Sequence, residues 1–318
     1  MLPAMRSAAV GGILLLSLCC SSLVSAEESD GTTKVSVCIA GYTTKHDVTE
    51  HSVIDKDIRD IETEMKKDSA PGFAEALRIY NDGQNSRTID KARTLAEFWP
   101  GAHKNSLGLT SIDEPFLKMF DKYEADKDFS PHEGAVAALK GLDDAKQGNY
   151  ASDNLVKDWD FRDQVAKKNI KFQIVMVYAL HELEIAIEAY DASKGKDVAQ
   201  RYLDVWWAFY AGSLEMGNGE KGYGPYVLAE RRAKFFGTET ATTSNGGVSK
   251  VNDILLRATI EISRLMNSAS NTAAMRNIMK CVRAQLKVPL IQGCVMYGRK
   301  LSSNVLWCSI KYLRVCHA

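Results

Sequence analysis

The feature that most constrains this chain is the return of apolar residues every three or four positions. It begins near Val53, where Ile54, Ile58, Ile61 and Met65 fall on one face of a predicted helix. The same spacing predicts further helices at 73–80, 115–122, 131–147, 170–192, 198–210, 225–236, 253–266 and 272–286. Strand-like alternation is scarce, so the sequence predicts an all-α helical bundle.

Two stretches of the chain have the same order of parts: an acidic helix, a break, and a second helix that ends in tyrosine and is followed by glycine. They are 54–86 and 181–213. Two helical hairpins of similar length raise the hypothesis of two pseudo-symmetric halves, 50–165 and 166–300. The identity between them is low, and a single helical domain over 27–300 is predicted whether or not it contains these half-repeats.

Residues 1–26 have the pattern of a secretory signal peptide. Arg6 provides the positive charge, an apolar stretch follows, and Val24-Ser25-Ala26 is a small-residue cleavage site. We therefore expect a secreted protein of the periplasmic space or cell surface, with an uncleaved anchor as the alternative. No later apolar run reaches the roughly 18 residues that a membrane helix needs, so no integral membrane segment is expected after cleavage.

Charge and cysteine content narrow the class of protein further. The 40 acidic and 40 basic residues balance, so the chain lacks the basic footprint of a nucleic-acid-binding protein. Signal cleavage would leave an odd number of cysteines, so at least one thiol is free or paired between chains. No CxxC pair occurs, which disfavours a zinc–thiolate site. The remaining cysteines are Cys38, Cys281, Cys294, Cys308 and Cys316, and their pairing stays open.

The helix over 170–192 carries the first candidate for a metal site. His181 and Glu184 are three positions apart on one helix face, and an imidazole and a carboxylate at this spacing share a metal in di-iron bundles. Asp57 on the acidic helix would complete the site if the repeat is real. The alternatives are a histidine at the edge of the core and, for Asp57, a solvated charged face.

Tyrosines and arginines supply the remaining candidates. Tyr80, Tyr210 and Tyr226 could each offer ferric iron a phenolate, which is a hard oxygen donor. Arg231 and Arg232 could bind a carbonate beside the metal, because a guanidinium holds a planar oxyanion with two hydrogen bonds. Ordinary packing of the tyrosines and surface ion pairs of the arginines are the alternatives.

Several blocks of sequence resemble one known family when taken in order. Residues 206–215 (WWAFYAGSLE) are similar to the signature of the low-iron-inducible periplasmic, or iron-assimilation, proteins of green algae, and 76–86 (ALRIYNDGQNS) matches a second block. The blocks YVLAERR and VPLIQG follow in the family order. The resemblance covers roughly 50–298 and extends to the phytotransferrins of diatoms, whereas the cysteine-containing tail over 301–318 departs from the pattern.

The resemblance implies an exported protein of iron acquisition under iron limitation. Its relatives in diatoms bind ferric iron with carbonate as a synergistic anion, and the iron would pass to a cell-surface receptor or a ferric reductase. We therefore expect a binding protein rather than an enzyme.

Two other functions are alternatives. The first is an imelysin-like metal-dependent hydrolase, since His181-x-x-Glu184 is similar to part of that family's Gly-x-His-x-x-Glu pattern, with Ala179 in place of the glycine. The second is a structural or adhesion protein of the cell surface that binds no metal. No Gly-x-Ser-x-Gly elbow or His-Glu-x-x-His helix occurs, which disfavours the hydrolase.

Overall fold

A computed structural model describes most of the chain between the predicted signal peptide and the tail. The described residues are 25–29, 32–104, 118, 130–141, 159–215, 221–240, 248–268 and 272–301. Most of the predicted signal peptide, most of the predicted helix over 115–122 and the tail from residue 302 lie outside them.

Two small antiparallel hairpins precede the helices. The first pairs β1 (Ser25–Ser29) with β2 (Thr32–Ser36), and the second pairs β3 (Cys38–Ile39) with β4 (Tyr42–Thr43). Most of the rest of the described chain is helical, so the prediction of an all-α bundle is confirmed.

Most of the helices fall on predicted segments, but those at Thr49–Ser52, Phe98–Ala102 and Trp159–Lys168 were not predicted. In chain order they are α1 (Thr49–Ser52), α2 (Ile54–Met65), α3 (Ala70–Asp82), α4 (Phe98–Ala102), α5 (Pro131–Lys140), α6 (Trp159–Lys168), α7 (Met176–Asp191), α8 (Lys196–Ala211), α9 (Pro225–Phe236), α10 (Lys250–Asn267) and α11 (Thr272–Leu301). A 3₁₀ turn, Leu95–Glu97, leads into α4, and a π-helical segment, Asn169–Val175, joins α6 to α7.

Local sequence explains where several helices begin and end. The Ser69 hydroxyl accepts a hydrogen bond from the first turn of α3. Ser130 and Glu133 form a reciprocal capping box at the start of α5. Helix α9 begins at Pro225 and ends at Gly237, whose left-handed conformation is the usual one after a helix.

Helix α7 is buried around nearly its whole circumference, which differs from the single apolar stripe that the spacing predicts. Leu180, Leu183 and Ile185 point in different directions, and each is at most 1% exposed. Such a helix lies in the middle of a bundle. It packs most extensively against α8, which buries Trp206 and Trp207 completely.

Two predicted helix ends are wrong. Helix α5 ends at Lys140 rather than at 147, because Gly141 adopts a φ of +102°. Helix α11 continues past the predicted end at 286 and through Pro289 to Leu301. An internal proline removes one backbone hydrogen bond, but Leu286 and Met296 on either side of it are buried, so packing against the bundle outweighs that loss.

The second hairpin is attached to α8 through the carboxylate of Asp204. This fully buried group accepts hydrogen bonds from the Tyr42 hydroxyl at 2.8 Å and from the backbone N–H groups of Lys45 and His46 at 3.0 Å each. His46 Nδ1 lies 2.9 Å from the same carboxylate. The polypeptide before α1 is thereby held against the core.

Two findings bear on the cysteine and membrane predictions. Cys38 is disulfide-bonded, whereas Cys281 is a free thiol on the surface of α11, in line with the odd number of cysteines. Of the helices in the described ranges, none combines the length and apolar character that crossing a membrane requires.

Candidate functional site

His181 lies in the buried middle of α7 and is only 2% exposed. Its ring stacks on Tyr178, with the centroids 6.1 Å apart, and bonds to the backbone of Lys104. Burial lowers its pKa to about 4, and nearby His103 lowers it further, so the ring is neutral at physiological pH. Its Nδ1 finds no hydrogen-bond partner among the described residues.

Glu184 points away from this environment and towards α11. Its carboxylate lies 2.7 Å from Arg283 Nη2 and 3.3 Å from Arg276 Nη1. Arg276 also contacts Glu188 at 2.5 Å and Asp191 at 3.4 Å. This carboxylate is thus part of an ion network that joins α7 to α11, and its charge is already balanced there.

Asp57 holds the turn that follows α3. One carboxylate oxygen accepts hydrogen bonds from the backbone and side-chain N–H groups of Asn85, both at 2.7 Å. Asp55, two residues earlier, does the same for the turn after α8, where it accepts from the Leu214 N–H at 2.7 Å and the Ser213 hydroxyl at 2.8 Å. Burial raises the pKa of both carboxyls.

The two turns that α2 holds have nearly the same backbone conformation. Gly83 ends α3 with φ +69° and ψ 171°, and Gly212 ends α8 with φ +83° and ψ 169°. Only glycine adopts this region readily. The resemblance supports the idea of two related hairpins, while the division of the whole domain into halves stays a prediction.

Tyr80, at the end of α3, is buried apart from the other candidate tyrosines. Its hydroxyl lies 2.7 Å from His132 Nδ1, and the two rings stack with centroids 5.7 Å apart. Burial raises the pKa of this phenol. Its oxygen therefore already has a partner on α5.

Tyr210 and Tyr226, in contrast, come together where α8, α9 and α10 meet. Their ring centroids are 6.1 Å apart. The Tyr210 hydroxyl donates to Asn252 Oδ1 at 2.6 Å, and Asn252 Nδ2 donates to Glu230 at 2.6 Å and to the Tyr226 carbonyl at 3.0 Å. Glu230 also accepts from the Ser249 N–H at 3.0 Å. One amide thus connects the phenol of Tyr210, the carboxylate of Glu230 and the backbone of Tyr226.

Glu215 adds a second carboxylate to this group. It is buried after the turn that ends α8, and a β-carbon placed on Gly222 would lie 2.6 Å from its Oε2, so the glycine permits the close approach. We call Tyr210, Glu215, Tyr226, Glu230 and Asn252 the oxygen cluster.

The members of the oxygen cluster disfavour one another's charged forms. Burial raises the pKa of Tyr210, Tyr226 and Glu230, and the negative charge of Glu215 raises those of Glu230 and Tyr226 further. Glu230 acts in the same direction on both phenols. A cation bound among these oxygens would reverse that effect and favour the ionised forms.

The two predicted anion-binding arginines lie on different faces of α9, one buried and one exposed. Arg232 is buried against α11, where its Nη1 donates to Met296 Sδ at 3.1 Å and its guanidinium lies beside Gly293. Arg231 is exposed, and its charge helps to lower the pKa of the buried Lys171.

The structure thus brings together two of the predicted residues, Tyr210 and Tyr226, and places the others in separate environments. Within the described ranges, no three His, Cys, Asp or Glu side chains converge to hold a metal ion. A site built here must therefore include phenol or amide oxygens, as the oxygen cluster does.

Sequence reasoning missed three members of the oxygen cluster: Glu215, Glu230 and Asn252. One signal was available, because Glu230 follows Tyr226 by four residues and so shares its helix face. Asn252 bonds to Tyr210 from 42 residues away, and helical spacing does not report such a contact.

A family model described as low iron-inducible periplasmic protein matches residues 12–297. No curated protein and no solved structure matches the chain.

Proposed function

This chain belongs to the low iron-inducible periplasmic protein family, and on that premise we propose that it binds ferric iron outside the cytosol as part of iron acquisition. The protein captures iron and hands it on to a cell-surface receptor or a ferric reductase. It performs no turnover of its own.

The observation that carries the proposal is the convergence of hard oxygen donors in the oxygen cluster. Phenols and carboxylates are the groups that ferric iron prefers. Here Tyr210 and Tyr226 lie beside Glu215 and Glu230, whose charges oppose one another until a cation is present. The donor set therefore fits a trivalent cation.

Iron binding at this place is coupled to the loss of protons. The Tyr210 hydroxyl donates a hydrogen bond to Asn252 Oδ1, so it must lose its proton before its oxygen can bind a metal as a phenolate. Asn252 keeps its contacts with Glu230 and the Tyr226 carbonyl, and so holds the other groups in place. Affinity for iron should therefore fall as the pH falls.

The proposal centres the site on Tyr210 and Tyr226 rather than on the predicted pair His181 and Glu184. Glu184 is balanced by two arginines, Asp57 closes a turn, and Tyr80 bonds to His132. The predicted carbonate at Arg231 and Arg232 belongs to the same proposal and is tested with it.

The test is titration of the mature protein with ferric nitrilotriacetate, with and without bicarbonate, followed by calorimetry and visible absorption. Ferric iron on a phenolate gives a visible charge-transfer band, which we expect in the wild type. Tyr226→Phe and Tyr210→Phe should each weaken or shift that band. Asn252→Ala should weaken binding about 10- to 100-fold, as is typical of residues that orient metal ligands.

Two control variants and two further measurements separate the parts of the proposal. Tyr190→Phe, in a partly buried tyrosine of α7, should leave the band unchanged. His181→Gln should also leave iron binding unchanged, and a large loss of iron binding in this variant would indicate that the site lies on α7 instead.

If the wild-type protein binds no iron with or without bicarbonate, the proposed function is wrong. Peptidase activity of the purified chain would favour the hydrolase.

A further inference from the structure

The longest helix, α11, is uncharged on two opposite faces. The residues that it buries against the bundle are Met275, Met279, Val282, Leu286 and Met296. The residues along its outward face, which we call the seam, are Ala274, Asn277, Cys281, Ala284, Val288, Ile291 and Val295. All of these are exposed except Val288, which is partly buried. A helix that lacks charge on both faces is expected to have a partner on each.

The seam has the spacing of a two-stranded coiled coil. Its residues follow one another in alternating steps of four and three, which is the heptad repeat by which two helices pack along their length. Ile291 is 45% exposed and Val295 is 39% exposed, and large apolar side chains in a row on a surface indicate an interaction site. We propose that the seam is the contact face of a parallel dimer of this chain, closed by a disulfide between the two copies of Cys281.

The charges beside the seam favour the parallel orientation. One edge of the seam is basic and consists of Arg276, Lys280, Arg283 and Lys287, and the other edge is uncharged and consists of Ile278, Gln285 and Gln292. In a parallel pair of helices each edge faces the opposite edge of the partner, so the lysines would face glutamines. In an antiparallel pair the two basic edges would face and repel each other.

The same charges favour a second copy over an acidic partner. Arg276 and Arg283 already pair with carboxylates of α7, so the basic edge keeps little charge to attract another protein. The chain as a whole carries 40 acidic and 40 basic residues, so two copies do not repel each other through net charge.

Cys281 stands where a two-fold axis brings identical residues together. It is an exposed thiol of the seam, and in a two-fold dimer a residue beside the axis meets its own counterpart. Packed helices have axes about 8–10 Å apart and Cα atoms about 2.3 Å from each axis, so Cα atoms that face each other lie roughly 4–6 Å apart. A disulfide spans about 4.4–6.8 Å between Cα atoms, which fits.

The seam alone is too small to hold a stable dimer. A strip of helix about 30 Å long and about 10 Å wide offers roughly 300 Å² on each copy. Specific complexes bury about 1,200–2,000 Å² in total, about twice as much or more. A covalent bond compensates for the small area, because it makes the contact between the two seams intramolecular. We therefore expect the reduced protein to associate weakly and the oxidised protein to form a stable dimer.

Formation of the bond needs an oxidant, which is a protein or small-molecule disulfide outside the cytosol. The thiolate of one Cys281 attacks that disulfide, forms a mixed disulfide and releases one thiolate. The thiolate of the second Cys281 then displaces the other half. Two cysteine thiols are oxidised, the oxidant is reduced to two thiols, and these take up the two protons that the cysteines lose.

The test is incubation of the iron-free mature protein with oxidised glutathione, followed by sedimentation velocity and non-reducing electrophoresis. We expect a dimer that dithiothreitol returns to monomer, and peptide mapping by mass spectrometry should find Cys281 linked to Cys281. A protein that stays monomeric after oxidation would overturn the proposal and would leave the seam to the tail from residue 302 or to another protein. A dimer linked through a different cysteine would also overturn it.

Variants separate the seam from chance collision of thiols. Cys281→Ser should abolish the covalent dimer, and Cys294→Ser should not. Ala284→Glu brings two like charges together in the seam and should slow dimer formation with oxidised glutathione about tenfold or more. Ala273→Glu, at an exposed position of the same helix outside the seam, is the matched control and should leave the rate unchanged.

Equal rates of dimer formation in Ala284→Glu and Ala273→Glu would show that the seam does not guide the reaction, which would contradict the proposal. Both substitutions are at exposed positions, and circular dichroism checks that each variant is folded. Cys281→Ser should bind iron as the wild type does, so failure of the dimer is distinct from failure of the oxygen cluster.

Discussion

At the scale of single residues, Asp204 shows how much one buried carboxylate can organise. It accepts hydrogen bonds from Tyr42, from two backbone N–H groups and from Gln200, and it contacts the ring of His46. Its negative charge is satisfied on several sides, so the hairpin before α1 is held by charge as well as by packing.

A pH-dependent stability should result from the contact between His46 and Asp204. The hydrogen bond to Asp204 raises the pKa of His46, with Asp197 adding to the effect. A raised folded pKa means that the stabilisation is fully present below the unfolded value of about 6.5 and is lost as the pH rises through the folded value. We expect a contribution of about 1 kcal/mol, because the ring is partly solvated.

Urea unfolding of the wild type and His46→Asn across this pH range measures that contribution. Asparagine keeps a donor near the position of Nδ1 but carries no charge at any pH. The difference in the free energy of unfolding should be largest at acidic pH and should shrink as the pH rises. A difference that grew with pH would have the wrong sign for this contact.

The sequence predicts which residues are chemically able to act better than it predicts their partners. Helical spacing places His181 and Glu184 three residues apart on α7, and both are buried. It does not show that Glu184 pairs with Arg276 and Arg283, which are 92 and 99 residues away. Contacts between distant segments depend on how the helices pack, and spacing within one helix carries no information on that.

At the scale of elements, α2 does more than cover the core. Its carboxylates Asp55 and Asp57 close the turns after α8 and α3, and both turns begin with a glycine of positive φ. A β-carbon on Gly212 would lie 2.5 Å from Asp55 Oδ2, so the turn approaches α2 as closely as its backbone allows. The glycine is needed both for its conformation and for its lack of a side chain.

Comparing Gly212→Ala with Gly195→Ala separates these two requirements. Gly195 also has a positive φ, +111°, but a β-carbon there would meet nothing within 4 Å. We expect Gly195→Ala to cost about 1–3 kcal/mol of backbone strain. Gly212→Ala should cost about 1–3 kcal/mol more, because of the collision with Asp55. Urea unfolding measures the loss of stability in each variant. Equal losses would show that the collision of the new β-carbon with Asp55 has no cost.

The helix ends show where local rules suffice. Ser69, Ser130 and Gly237 act as the sequence pattern indicates, because a cap depends on residues within one turn. Pro289 does not end α11, because the segments on both sides of it are buried against other helices. The rule fails at Pro289 because tertiary packing opposes it there.

At the scale of the whole molecule, the burial of α7 on all sides implies a gradient of stability. A helix that is enclosed by the bundle exchanges its amide protons only when the bundle opens. Hydrogen exchange followed by mass spectrometry should therefore find 176–191 among the slowest peptides. The part of α11 around the exposed Ile291 and Val295 should exchange sooner, and the reverse order would contradict the central position of α7.

The all-α class was predictable because most helices carry their own periodic signal. Only part of the oxygen cluster was predictable. Tyr210 and Tyr226 belong to sequence blocks that resemble the family, whereas Glu215 comes from a turn and Asn252 from a third helix. Its geometry depends on the packing of α8, α9 and α10 together.

The hydrogen bonds from the two turns to α2 also determine which fragments of the protein keep the turns intact. A fragment that began after Met65 would lack Asp55, which accepts the hydrogen bond from the Leu214 N–H. A fragment that stopped before Ser213 would lack the Ser213 and Leu214 groups that donate to the buried Asp55 carboxylate. Glu215, the first member of the oxygen cluster, comes directly after that junction. The oxygen cluster therefore depends on α2 as well, and grafting α8, α9 and α10 alone onto another scaffold would omit the helix that holds the turn before Glu215.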